Sequence, residues 1–130
     1  MSGSLSKVAI AATLWIAPYI AAHESHFQMA PASYAQMTNP YQGKPGAAAA
    51  GKKLYGQNCA QCHGVNLQGI GPAPALDSQS VKSAKPGALF WFITNGEVAL
   101  GMPSWSGLPT NQRWQIVTFL QSKLTKAETK

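Results

Sequence analysis

Cysteine is nearly absent from this 130-residue chain: Cys59 and Cys62 are its two thiols. They cannot build a disulfide framework, and a structural zinc site would need a second pair of ligands at metal spacing. A thioredoxin-like redox pair would lie beside a strand–helix–strand pattern, and none surrounds them. Alternating apolar and polar runs of useful length are missing throughout, which argues against a sheet and leaves an all-α fold. Acidic residues are also scarce, four against ten lysines and arginines, for a formal net charge of +6. One long apolar run exists, Val8 to Ala22, and it is short for a membrane span.

What the chain does have is both thiols in one pentapeptide, Cys59-Ala60-Gln61-Cys62-His63. This is the spacing of a c-type haem attachment site. On a helical turn, residues three apart lie on the same side, so both thiols can add across the two vinyl groups of one porphyrin. His63 then falls beneath the iron as proximal ligand, and one covalent haem c is the expected cofactor.

The N-terminus fits export. Lys7 precedes the apolar run, so residues 1–22 read as a signal peptide. Cleavage is possible after Ala22 or at Ser33-Tyr34-Ala35, both of which offer small residues. An uncleaved anchor is the alternative, against which Pro18 and the short run argue. Covalent attachment keeps a cofactor from being lost outside the cytoplasm, so the expected location is periplasmic. Residues 23–46 contain Pro31, Pro40 and Pro45 and no sustained period, and read as a flexible linker. Within it His23 and His26 are weak candidates for copper, with a solvated tail as the plainer reading. Residues 47–130 are left for a single domain, small enough that the haem would have to serve as the centre of its core.

Three helices are predicted in that domain. The first runs from about Ala47 to Asn58, with Leu54 and Tyr55 facing inward and Gly51 inside it at a cost. The second starts at Pro86, carries Leu89, Phe90 and Ile93 on one face and stops before Gly96. The third follows Pro109, with Thr110 as N-cap and Trp114, Val117, Phe119, Leu120 and Leu124 toward the interior. Lys123, Lys126 and Lys130 suit its negative end. Past the haem motif the chain has a single methionine, Met102, thirty-nine residues beyond His63 in Gly101-Met102-Pro103-Ser104-Trp105. Core methionines usually lie within amphipathic helices. This one lies in a loop, and it reads as the second axial ligand.

Together these features resemble the class I monohaem cytochromes c over about Ala47 to Leu124. The shared order is Gly51 and Tyr55 before the haem motif, a loop ending in Pro74-Ala75-Leu76, then Gly-Met-Pro, then a last helix bearing Phe119. The resemblance implies a small class I cytochrome c fold in which the first and last helices cross with Gly51 against Phe119. It also implies that a loop proline's carbonyl accepts the remaining N–H of His63; Pro72 and Pro74 are both available, and Pro74 fits the Pro-x-Leu pattern better. Residues 86–120 are similar to cytochromes that accept electrons from quinoprotein (PQQ-dependent) dehydrogenases. One departure is Asn111-Gln112-Arg113 at the opening of the last helix, where the family commonly has acidic residues.

The implied activity is electron transfer rather than catalysis. His63 and Met102 would fill both axial positions, and Trp105 would pack on the pocket or hydrogen-bond a haem propionate. From Ala47 onward eight lysines and arginines face three acids, so Lys52, Lys53, Lys82 and Lys85 would steer encounter with an acidic redox protein. Expected partners are a PQQ-dependent dehydrogenase and a terminal oxidase; nucleic acid is not expected, and a membrane only if the signal stays uncleaved. Two rivals stand beside this reading: a cytochrome subunit of a stable complex, and an open-site sensor or peroxidase-like enzyme should Met102 not bind iron.

Overall fold

The computed structural model describes residues 26–127, with the side chains of Lys82 and of residues 124–127 outside that description. The segment read as a signal peptide, His23 and Lys130 therefore lie outside the described residues, as do the side chains of Leu124 and Lys126.

Among the described residues the architecture is helical throughout, with two isolated antiparallel bridges and no strand. A 3-10 turn at Phe27–Met29 precedes α1 (Ala32–Ala35). Helix α2 (Pro45–Asn58) starts two residues earlier than its composition suggests. Pro45 occupies its first turn, where a missing N–H costs nothing and the ring presets φ. After Cys59 the chain turns into α3 (Ala60–His63). Then come α4 (Gln79–Ser83), α5 (Pro86–Asn95), a 3-10 turn at Val98–Leu100 and α6 (Thr110–Ala127). Helix α5 again opens on proline and ends at Gly96. No helix among the described residues is long and apolar enough to cross a membrane.

The fold turns on the crossing of α2 with α6. A Cβ on Gly51 would overlap the Gln115 carbonyl and lie 2.9 Å from Phe119 Cβ. Glycine therefore lets the two backbones touch. One turn along, Tyr55 meets the Phe119 ring at 5.3 Å. Helix α5 closes the other side, its Phe90 stacked on Trp114 at 4.2 Å. Leu89, Ile93, Ile116, Val117 and Leu120 complete a buried cluster around these rings.

The segment 26–44 departs from its reading as a loose arm. It packs on α5 and α6 at points spaced along its length. Phe27 meets Phe92 edge-on at 5.3 Å, and Tyr34 stacks on Phe90 at 6.4 Å. A Cβ on Gly87 would overlap the Tyr34 carbonyl, so here too backbone lies against backbone. Farther on, the Asn39 amide donates to Thr118 Oγ1 at 3.0 Å in a buried site, and its Oδ1 accepts from the Tyr41 N–H at 2.9 Å. Burying an amide is tolerable only when its hydrogen bonds are replaced, and both atoms of the Asn39 amide have partners.

Candidate functional site

Cys59, Cys62 and His63 share one turn. Cys59 ends α2, donating its N–H to the Tyr55 carbonyl, and begins α3, its own carbonyl accepting from Cys62 at 3.1 Å and His63 at 2.9 Å. Cys62 is exposed and Cys59 half-buried. Burial pushes the Cys59 thiol up to about 11, with the nearby Cys62 adding to the shift. The thiol is thus neutral at physiological pH.

The turn is braced from below by Tyr55, which is buried and donates its hydroxyl to the Gly64 carbonyl at 2.6 Å. Burial, followed by the influence of Cys59, raises this phenol to about 12. Past Gly64 the loop doubles back. Leu67 adopts φ 65°, rare for a branched apolar residue, and is held there by burial and by the Leu76 N–H on its carbonyl at 2.8 Å. That pairing fixes Leu76 against the core and brings Pro74 beneath His63. The Pro74 carbonyl lies 2.8 Å from His63 Nδ1. A carbonyl only accepts, so Nδ1 carries the hydrogen and Nε2 keeps its lone pair for a metal. Of the two prolines open in the sequence, Pro74 is the one in hydrogen-bond contact.

Met102 is half-buried in a loop tied at both ends. On one side the Glu97 N–H donates to the Met102 carbonyl at 2.9 Å and the Met102 N–H to the Glu97 carbonyl at 3.1 Å. On the other, the Trp105 N–H reaches the Ile93 carbonyl at 3.0 Å and Ser104 Oγ the Thr94 carbonyl at 2.7 Å. Gly96, at φ 67°, lies directly beneath: a Cβ there would come 2.6 Å from the Met102 carbonyl and overlap the Pro103 carbonyl. Trp105 itself packs on the core cluster.

Arg113, conspicuous in sequence as a cation at a helix start, has a local purpose. Its guanidinium donates to the Leu108 carbonyl and to the hydroxyls of Thr94 and Thr110, and lies 4.9 Å from the centre of the Phe90 ring. It thereby ties the end of α5 to the loop before α6. The wrong charge for the helix dipole was the signal that could have marked it. His26 was harder to foresee: its Nε2 lies 2.8 Å from Glu97 Oε2, and among the described residues no cluster of three or more metal-binding side chains exists for it to join.

The donor set fits haem c. Two thiols occupy one turn, an imidazole has a free Nε2, and a thioether sits in a braced loop. Among the described residues, four of the six large apolar side chains left exposed belong to the segments after His63 and before Met102, namely Val65, Ile70, Val98 and Leu100. Such surface is costly in water and suits an apolar cofactor or partner.

The family model described as cytochrome c oxidase, cbb3-type, subunit III, matches residues 46–120. The cbb3-type cytochrome c oxidase subunit CcoP of Azospirillum brasilense is 34% identical over 82 residues, 58% of this chain and 28% of that protein. Cytochrome c-554(547) of Halothiobacillus neapolitanus is 58% identical over 31 residues, 24% of this chain and 34% of that one. The crystal structure of cytochrome cL from the marine methylotroph Methylophaga aminisulfidivorans superposes with a TM-score of 0.55 at 28% identity, covering 64% of this chain and 59% of the other. The chain spans 21–28% of the length of the oxidase subunits it matches.

Proposed function

The chain belongs to the family described as cytochrome c oxidase, cbb3-type, subunit III, and from that premise we propose that it is an exported carrier of single electrons between redox proteins. It is a monohaem c-type cytochrome whose haem c is held through Cys59 and Cys62. The finer reading has electrons arriving from a quinoprotein (PQQ-dependent) dehydrogenase and leaving toward a terminal oxidase. The resemblance of residues 86–120 supports that donor. A periplasmic location, with the segment 1–22 removed, completes it.

Each residue has a stated task in this reading. The thiols of Cys59 and Cys62 would hold the haem through two thioether bonds. The hydrogen bond from Nδ1 to the Pro74 carbonyl, at 2.8 Å, holds His63 in the tautomer that presents Nε2 to iron; this is the observation that carries the proposal. Met102 would supply its thioether sulfur as the second protein ligand to the iron, and the hydrogen bonds that tie its loop would hold it in place. When attached, the haem supplies a one-electron ferric/ferrous couple, which thioether ligation shifts toward the ferrous form. Exposed Lys52, Lys53 and Lys85 draw an acidic partner toward the basic surface.

Similarity to CcoP subunits favours a second reading, a cytochrome held permanently in an oxidase complex. Size-exclusion chromatography and co-purification separate the two: a free carrier elutes alone. The test of the central reading is the visible and near-infrared spectrum of the holoprotein beside that of Met102→Ala. A low-spin spectrum whose methionine-to-iron charge-transfer band vanishes in the variant is expected. A high-spin, ligand-binding spectrum indifferent to the substitution would overturn the closed-site carrier and point to chemistry at iron.

A further inference from the structure

The Met102 loop is short and exposed around Val98–Leu100, yet a carrier needs it held. Two of its restraints come from neighbouring chain, the end of α5 and the residues just before α6. The third comes from far away in sequence. His26, seventy-one residues upstream, holds Glu97 Oε2 at 2.8 Å and stacks on Phe92 at 4.9 Å with the rings 19° from parallel. Phe92 lies one turn before Gly96, and its carbonyl accepts the Gly96 N–H at 2.7 Å. Glu97 follows Gly96 and is paired through its backbone with Met102. His26 therefore touches both flanks of the glycine on which the Met102–Pro103 peptide rests.

That contact is not a chance meeting of two surface side chains, because the arm is anchored independently of it. Asn39 is bonded to Thr118 in the interior, Tyr34 lies against Gly87 with no room for a Cβ between them, and Phe27 packs on Phe92 next to the histidine. These contacts deliver His26 to one place. Much of the entropy of placing a side chain at Glu97 is already spent by the anchors, so the pair acts on the loop rather than on the arm.

We propose that His26 is a positioning residue for the Met102 loop: with Phe27 and α1 it forms a clamp that keeps the Glu97–Met102 bridge closed and so slows displacement of the methionine from iron. The arm is then a working part of the electron-transfer site rather than a tether. The part concerning iron rests on the reading of Met102 as axial ligand; the part concerning the bridge does not.

The experiment uses holoprotein carrying His26→Ala, Glu97→Ala, both together, and Met102→Ala. Two quantities are read: amide hydrogen exchange at Glu97 and Met102, whose N–H groups form the bridge, and the rate at which added imidazole binds the ferric protein. His26→Ala is expected to speed both by about three- to tenfold, the range of a half-exposed hydrogen bond together with a ring stack. The double variant should be no faster than the faster single one, because both changes break one clamp. Exchange and imidazole binding both unchanged in His26→Ala, or effects of the two substitutions that simply multiply, would overturn the proposal. Should exchange quicken while imidazole already binds the unaltered protein as fast as Met102→Ala, the clamp stands and the ligand reading fails.

Discussion

Replacing Gly51 by alanine tests the helix crossing on which the haem turn is built. The added methyl would overlap the Gln115 carbonyl, a backbone atom that cannot rotate aside, and crowd Phe119 Cβ. Forcing a carbon into a packed contact costs about 1–3 kcal/mol, and a backbone obstacle belongs at the upper end. Alanine within a helix recovers roughly 0.5–1 kcal/mol of that through its better propensity. Gly56 is the internal control: it lies in the same helix with nothing within 4 Å of an added Cβ. Gly56→Ala should therefore be neutral or stabilising by up to about 1 kcal/mol. Subtracting one variant from the other cancels propensity and leaves the clash, about 3 kcal/mol. In urea unfolding of the holoprotein followed by far-ultraviolet circular dichroism, that is a gap of about 1–3 M between midpoints. Two variants within about 0.5 kcal/mol of each other would refute the argument, since backbones in contact at Gly51 cannot accept a methyl at no cost.

Gly96→Ala should loosen the Met102 loop without disturbing the α2–α6 crossing. A weakened or lost methionine-to-iron band with native far-ultraviolet dichroism is the expected result, and an unaltered band would contradict the contact with Met102 and Pro103. The Tyr55 phenol predicts an alkaline effect of definite sign. The unfolded chain releases this proton near 10 but the folded chain holds it to about 12, so above pH 10 unfolding is favoured as pH rises. Stability relative to Tyr55→Phe should be constant below pH 10 and fall by up to about 1.4 kcal/mol per pH unit above it; unfolding measured from pH 8 to 12 decides. Finally, signal cleavage at Ala35 would remove His26, Phe27 and Tyr34 from the folded protein, so intact-mass analysis of the exported holoprotein should place its N-terminus upstream of His26, at His23 for a cut after Ala22. A mature chain starting at Gln36 would show the clamp to be absent in use.

The chemistry of the site was legible because it is local. Cys59, Cys62 and His63 share one turn, and the Met102 loop is marked in the sequence by its Gly101, Pro103 and Trp105. Helices α2, α5 and α6 were legible for the same reason, since proline at the first turn and a 3.6-residue apolar period are properties of short windows. The short α4 and the 3-10 turns were not, being too brief to have a period. The arm was misread for a different physical reason. Phe27, Tyr34 and Asn39 follow no period because each is wholly or partly covered by a separate partner on α5 or α6, and cover of that kind is decided by tertiary contact alone. The choice of Pro74 over Pro72 likewise depends on how the loop folds back through Leu67 and Leu76, which composition does not encode.

The meeting of α2 and α6 joins segments about sixty residues apart, and closing a loop of that length costs roughly 4 kcal/mol of chain entropy before any contact offsets it. Helix α2 can bury Gly51 and Tyr55 only against residues of α6, far along the chain from it. A chain in which that crossing has not yet formed leaves the haem turn unpacked, and its thiols stay open to whatever delivers the porphyrin. Maturation and folding are in this way linked by topology: the cofactor can be joined to a chain still pliant, and α6 then shuts the fold around it.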